Sequence, residues 1–418
     1  VTVAEKIIAA HSGRARVEAG ETLFVRCDLA MGSEIIFPQI LNTLNELGWS
    51  GKMERDCVAI VNGHLVSTRE AAAGTLVAAL DRFAVEYKVE RYYQAGRFGD
   101  CQSLLADQGI IGPGDLVVGS DQHFTTYGAL GALATGVGGV DLATIWTTGR
   151  TWLTVPRSVK IIVNGRLNSN VTPKDFALYL LSVLGLQSVR ECALEFSGDA
   201  LESFSMADRF MICNLAVETG AKFAWIPVDK ITRAYLEHIP RRKYSEVTPD
   251  IDTEYAAEFE FDLAEIKPMV ALPYLPTQAV PAETLNDIHV HQVLIGSCTN
   301  GKIEDFRMVA SLLKKHDLFH EMRLGLYPAS HQAVRDIVDE DLALLFTKRG
   351  ATISPPSCQP CLGSGPSLLS EDEVGLYTTN RNYRGRHGPA SAKVYLTSPL
   401  VATASAITGV ITDPREFF

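Results

Sequence analysis

His289-Val-His-Gln-Val-Leu-Ile-Gly-Ser-Cys-Thr-Asn-Gly301 is the stretch on which the reading of this chain turns. An apolar run from His289 to Ile295 has the length and composition of a buried strand, and it passes into a loop of small and reactive residues around Cys298. The helical pattern Ile303–Lys315 follows. Further on comes Ser354-Pro-Pro-Ser-Cys-Gln-Pro-Cys-Leu-Gly-Ser-Gly365, whose C-x-x-C pair, Cys358 and Cys361, turns two thiols toward one point in a loop stiffened by proline and glycine. Three thiolates are one short of a closed structural zinc site. They suit a 4Fe–4S cluster with one iron free of cysteine, which can act as a Lewis acid. Spacing alone leaves zinc, a dithiol redox pair and unrelated thiols open.

Outward from this stretch, short β-branched runs alternate with helical patterns, which predicts an α/β fold. Cys57–Val61 reads as a strand ending in Asn62-Gly-His64, followed by a helix to about Glu86. Asp115–Gly119 reads as a strand ending in Ser120-Asp-Gln-His123. Val159–Val163 reads as a strand, and Pro173–Leu184 and Phe210–Thr219 as helices. Three strands thus end in loops of reactive residues, where α/β folds usually do chemistry. The small-residue run from Gly128 to Gly139 lacks the Gly-x-Gly-x-x-Gly dinucleotide fingerprint and predicts close helix packing. Thr248–Leu285, acidic and rich in proline, reads as a crossing between domains. The expected division is 1–155, carrying the His64 and Asp121/His123 loops; 156–285, carrying Glu218; and 286–418, carrying the cysteines with Asn380, Arg381 and Arg386.

The 418 residues carry a formal net charge of -11, which argues against nucleic acid, since phosphate binding needs a basic surface. No apolar run is long enough to span a bilayer, and Val1–Ala10 lacks a signal peptide's basic start, so a cytoplasmic location is the expectation. Eight cysteines are too sparse for a disulfide scaffold. Cys27, Cys57, Cys101, Cys192 and Cys213 read as buried free thiols.

Gly296-Ser-Cys-Thr-Asn-Gly301, Cys358-Gln-Pro-Cys-Leu-Gly363 and Asn380-Arg-Asn-Tyr-Arg-Gly-Arg386 together resemble the aconitase superfamily, and within it the large subunits of the 3-isopropylmalate dehydratases and homoaconitases. The likeness runs from Asp28-Leu-Ala-Met31 to Thr397-Ser-Pro399. It implies a three-domain α/β/α architecture around a cluster cleft, with Cys298, Cys358 and Cys361 as the ligands. It also implies that Asn380, Arg381 and Arg386 contact substrate carboxylates, that Asp121 and His123 hold the leaving hydroxyl, and that Glu218 lies near the open iron. His64 falls at the family's first catalytic histidine. Without the resemblance, Arg381 and Arg386 would read as a solvated basic loop, Glu218 as a solvated helical residue and the histidines as structural; Arg384 and His387 read as surface residues.

Departures from the family pattern stand out. Gly63 replaces the aspartate that usually precedes the first histidine, which predicts a weaker His64 unless Asn62 or a distant carboxylate substitutes. Cys101 or Gln102 replaces another histidine, Gln122 and Phe124 replace a serine and a threonine, and Ser33-Glu-Ile-Ile-Phe-Pro38 stands at a substrate-facing stretch. Nothing corresponds to the family's swivelling domain, so a separate small subunit, in a heterodimer or heterotetramer, is the expected partner. The reading is a hydro-lyase or isomerase subunit acting on a hydroxy-dicarboxylate or hydroxy-tricarboxylate, with altered substrate or proton relay. Different lyase chemistry at the same cluster, and a non-catalytic cluster-binding sensor, are the rival readings.

Overall fold

The computed structural model of the chain describes residues 1–54, 56–65, 71–94, 96–237, 243–363 and 368–417. The end of the C-x-x-C loop, including Gly365, therefore lies outside the described residues. Helices and mostly parallel sheets make the architecture α/β.

The first sheet has five parallel strands in the order Arg91–Tyr93, Val58–Val61, Leu29–Ser33, Leu116–Gly119 and Leu133–Gly136. Near-continuous apolar runs such as Val58–Val61 suit it, because both faces are covered. A second, four-stranded parallel sheet runs Phe223–Trp225, Ala193–Ser197, Ser158–Asn164, Ala257–Asp262. The third runs Ala279–Pro281, Met269–Ala271, Lys393–Thr397, Val374–Tyr377, Gln292–Gly296, Arg323–Tyr327, Thr352–Ile353. Only Met269–Ala271 runs against its neighbours, antiparallel to both Ala279–Pro281 and Lys393–Thr397. A two-stranded antiparallel ribbon joins Thr22–Arg26 to Arg150–Thr154.

Helix boundaries follow from local chemistry. Pro173–Leu184 starts on a capping box between Thr172 and Asp175 with proline in its first turn, and Gly185 ends it. The predicted helix Phe210–Thr219 begins earlier, at Met206, where Ser205 and Asp208 form the capping box. It closes at Ala216 and tightens into a 3₁₀ turn over Val217–Thr219. Among the described residues no helix is long and apolar enough to cross a membrane.

Two expectations change. Thr248–Leu285 is more than a crossing: Ala257–Asp262 completes the second sheet, while Met269–Ala271 and Ala279–Pro281 extend the third. Pro268 and Pro273 flank the short strand Met269–Ala271, and Pro281 closes the edge strand Ala279–Pro281, where a missing N–H costs least. The small-residue run is also not a simple helix. It comprises the end of a 3₁₀ helix, Gln122–Leu130, and the strand Leu133–Gly136. Its small residues serve close approach to a strand: a Cβ at Gly128 would lie 1.7 Å from the Ala224 carbonyl oxygen.

That contact holds the His123 segment against the second sheet, and neither backbone can retreat without breaking its own hydrogen bonds; Ile226 N–H donates to the Gly128 carbonyl at 3.0 Å. Gly128→Ala is therefore expected to destabilise the protein by about 3 kcal/mol, the upper range for overpacking. Urea unfolding would register this as a lower midpoint with an unchanged slope, and a parental midpoint would refute it.

Candidate active site

Almost every candidate residue sits just beyond the carboxyl end of a parallel strand. Glu34 follows Leu29–Ser33, His64 follows Val58–Val61, and Asp121 and His123 follow Leu116–Gly119. In the third sheet, Cys298 follows Gln292–Gly296 and Asn380–Arg381 follow the adjacent strand Val374–Tyr377. Cys358 comes after Thr352–Ile353, and Cys361 lies in the short helix Gln359–Leu362. Two sheets thus aim their carboxyl ends at one point, the usual place for chemistry in this fold class.

The three cysteines are buried and border one cavity of about 290 Å³. His64, Gln102, Asp121, Gln122 and His123 line it, as do Asn380, Arg381 and Arg386. Glu218 stands behind this lining, 3% exposed, bonded to residues that do face the cavity.

Amide groups stabilise the sulfurs. Asn214 Nδ2 lies 3.4 Å from Cys298 Sγ, and Asn380 Nδ2 lies 3.6 Å from the same sulfur. Cys361 Sγ lies 3.1 Å from Asn380 Oδ1 and 3.3 Å from Ser297 Oγ. Hydrogen bonding from Cys298 outweighs burial, and with Ser297 and Arg386 it lowers the Cys361 thiol to about 6. Arg386 Nε also donates to the Cys361 carbonyl, fixing the loop. Among the described residues no three His, Cys, Asp or Glu groups are drawn together as a site for one metal ion. The sulfurs border a cavity instead, an arrangement that fits a multi-atom sulfur-ligated group better than a closed zinc site.

Cys101 is the remaining thiol of interest. It is buried beside Cys358 and Gln102, with its Sγ 3.0 Å from Gln102 Oε1, but does not line the cavity. A hydrogen bond with Cys358 pulls its pKa down, yet burial and the nearby Asp121 and Asp100 carboxylates leave it at about 11. It is a neutral thiol. Gln102, by contrast, faces the cavity. All eight cysteines are free and buried, including the five expected to be.

The acid–base groups form one buried network. His123 Nδ1 lies 2.8 Å from Asp121 Oδ1 and Nε2 lies 2.7 Å from Glu218 Oε1. Burial opposes a charged imidazole, but these carboxylates prevail and raise its pKa to about 9. Asp121 Oδ2 also faces His64 Nε2 at 3.7 Å. On its other side His64 Nδ1 lies 3.4 Å from Glu34 Oε2, and Glu34 Oε1 accepts the backbone N–H of His64 at 2.6 Å. Burial again opposes charge, while the Cys358 sulfur and both carboxylates hold the His64 pKa well above its ordinary value.

Of the two substitutes the sequence left open, the structure supplies the distant carboxylate. Glu34, which the sequence reading placed only in a substrate-facing stretch, supplies the missing carboxylate. Gly63 cannot: a Cβ there would lie 2.8 Å from the Gly99 carbonyl oxygen, and the Gly63 carbonyl accepts the Cys358 N–H at 3.1 Å. Asn62 Nδ2 turns away, donating to Tyr92 Oη at 3.0 Å.

Glu218 collects three donors. Besides His123 it accepts Arg381 Nε at 2.7 Å and Tyr383 Oη at 2.9 Å. Burial would raise its pKa, but His123 and Arg381 lower it. Arg381 Nη2 donates to Gln122 Oε1 at 2.5 Å. Tyr383 and Asn214 escaped the sequence reading; the signal for Asn214 was a polar residue in a helix buried on every side. Arg384 is exposed as expected and stacks on Tyr274. His387 is not a surface residue: it is 2% exposed and packs edge-on against Tyr377.

A histidine pKa raised in the folded state stabilises the fold below the unfolded value near 6.5, and that contribution is lost as pH rises through about 9. The stability difference between the parent and His123→Gln is therefore expected to be largest near pH 6 and to shrink toward pH 9.5. Urea unfolding across that range measures it, and a flat difference would rule out this network.

The Aconitase family (aconitate hydratase) model matches residues 5–285 and 281–409. The 3-isopropylmalate dehydratase large subunit of Thermodesulfovibrio yellowstonii is 39% identical over 416 residues, covering 100% of this chain and 99% of that one. The protein of the same name from Clostridium kluyveri is 37% identical with the same coverage. Among solved structures, Thermococcus kodakaraensis aconitase X superposes with a TM-score of 0.54 over 91% of this chain and 89% of that one. At 12% identity that likeness speaks for the fold alone.

Proposed function

Because this chain belongs to the aconitase family, we propose that it is the cluster-bearing large subunit of a hydro-lyase that dehydrates and rehydrates a hydroxy-dicarboxylate or hydroxy-tricarboxylate. The observation that carries this reading is one cavity bordered by Cys298, Cys358 and Cys361 on one side and by His64, Asp121 and His123 on the other. The family and the relatives' names imply a 4Fe–4S cluster, a small-molecule substrate and a small-subunit partner.

Cys298, Cys358 and Cys361 would hold the cluster and leave one iron free of cysteine. When bound, the cluster supplies a Lewis acid for substrate hydroxyl and carboxylate oxygens. The rest falls to side chains. Arg381 spends Nε on Glu218 and Nη2 on Gln122, so it offers a substrate carboxylate its remaining edge. Arg386 and Asn380 supply further donors from the same side. A departing hydroxyl needs a proton to leave as water. His123 has both ring nitrogens engaged at short range and serves to fix Asp121 and Glu218. His64 Nε2 is held only loosely at 3.7 Å and is the better-placed donor. The base that removes the carbon-bound proton comes from the small subunit.

Replacement of the family serine by Gln122 supports altered substrate handling, since its amide occupies one arm of the Arg381 fork. The test is anaerobic reconstitution with iron, sulfide and a small subunit of this family. Screening isopropylmalate, homocitrate, citrate and methylmalate by absorbance of the unsaturated product is expected to identify one that turns over. No turnover on any of them by a fully loaded protein would overturn the reading. On the active acid, Arg381→Lys is expected to lower kcat/KM about 10- to 100-fold, the worth of one charged hydrogen bond.

Cluster loading gives a separate check. Cys358→Ser is expected to abolish the cluster's visible absorbance, whereas Cys101→Ser retains it. Loss in both would make Cys101 a fourth ligand and close the iron's open corner.

A further inference from the structure

Among the described residues, Lys174 is a buried ammonium beside the Cys298 loop that the proposed chemistry does not use. It sits in the first turn of the helix Pro173–Leu184 and is 1% exposed. Its Nζ donates to the Thr378 carbonyl at 2.7 Å and lies 3.4 Å from the Thr379 carbonyl. Those two residues follow the strand Val374–Tyr377 and lead directly into Asn380 and Arg381. The Thr378 carbonyl also accepts Thr299 Oγ1 at 2.7 Å, and Thr378 Oγ1 accepts the Gly296 N–H at 2.9 Å. Lys174 thus meets, through one peptide, both the Cys298 loop and the Asn380–Arg381 loop.

An ammonium there needs a counterweight, because burying an unpaired charge is costly. Its hydrogen bonds run to neutral carbonyls. Burial lowers its pKa to about 8, while the charges of Asp305, Cys361 and Cys298 oppose that fall. Cys298 and Cys361 favour its charged form when they are thiolates, the form in which cysteines ligate iron. Three thiolates around a 4Fe–4S core in its +2 state carry net negative charge, so the lysine is matched to an occupied cradle.

We propose that Lys174 is a positioning residue with two effects: it pins the Thr378–Thr379 carbonyls that aim Asn380 and Arg381 at the cavity, and it raises the reduction potential of the cluster by placing a fixed positive charge behind the cysteines. This rests on the cluster-bearing reading above. A fixed cation one hydrogen-bonded carbonyl removed from the residue next to Cys298 favours the more negative, reduced state of a cluster, and burial limits the screening that would weaken it.

The test uses the reconstituted protein with its small subunit. Lys174→Met and Lys174→Gln, compared with the parent at equal iron and sulfide content, are expected to show a lower midpoint potential in an EPR-monitored redox titration. KM for whichever of isopropylmalate, homocitrate, citrate or methylmalate the parent turns over is expected to rise severalfold with kcat less affected, because carboxylate aiming rather than proton transfer is disturbed. A parental potential in either loaded variant overturns the proposal. Should neither variant load, Lys174→Arg decides: loading at a parental potential upholds it, and failure to load overturns it. A parent that shows neither EPR signal nor turnover would sink the cluster reading itself, whereas an active parent with parent-like variants would sink only the role of Lys174.

Discussion

Charge is buried in this site only because it is buried in matched sets. The carboxylates of Glu34, Asp121 and Glu218 face His64, His123 and Arg381, and all of these groups are wholly or largely removed from water. Any one carboxylate alone would be driven toward its neutral form by burial, and any one imidazole likewise. Together each holds the other ionised. The position of every loop around the cavity follows from that mutual requirement, since a carboxylate moved by an ångström would leave a cation unpaired. Asp121 is the shared member, touching both histidines, and its carboxyl is held well below the ordinary range by them against the effect of burial.

The parallel sheets make the matching affordable. Strands about 5 Å apart bring side chains from successive carboxyl ends within reach of one another. Leu29–Ser33 lies between Val58–Val61 and Leu116–Gly119, so Glu34 emerges between the His64 and Asp121 loops. In the third sheet, neighbouring strands deliver Cys298 and Asn380 side by side. Few side chains need to be long, and the functional loops can be short.

Much of this was readable from the chain. The strand-then-reactive-loop pattern located His64, Asp121, His123 and Cys298 correctly at strand ends, because apolar runs and small-residue loops are local features. The α/β class and the helix Pro173–Leu184 were legible for the same reason. What escaped was non-local. Glu34 pairs with a histidine thirty positions away. Asn214 turns a sulfur-directed amide inward from a helix whose polar residue gave no hint of a partner. His387 looked like part of a basic loop, yet the fold tucks its ring against Tyr377. The small residues from Gly128 onward announced tight packing but not against what; only the second sheet supplies the Ala224 carbonyl that excludes a methyl group there.

Gly63 is enclosed by backbone on the side where a Cβ would stand. The backbone of Gly99 fills the space that a side chain at this position would need, and Gly99 is itself hemmed in: a Cβ there would lie 2.5 Å from the Ala329 carbonyl oxygen. Segments far apart in sequence have closed around the bare α-carbon, and Glu34 orients His64 from a neighbouring strand end. Any side chain at position 63 would require several backbones to retreat at once, so this corner of the cavity is closed to single substitutions although it carries no side chain of its own.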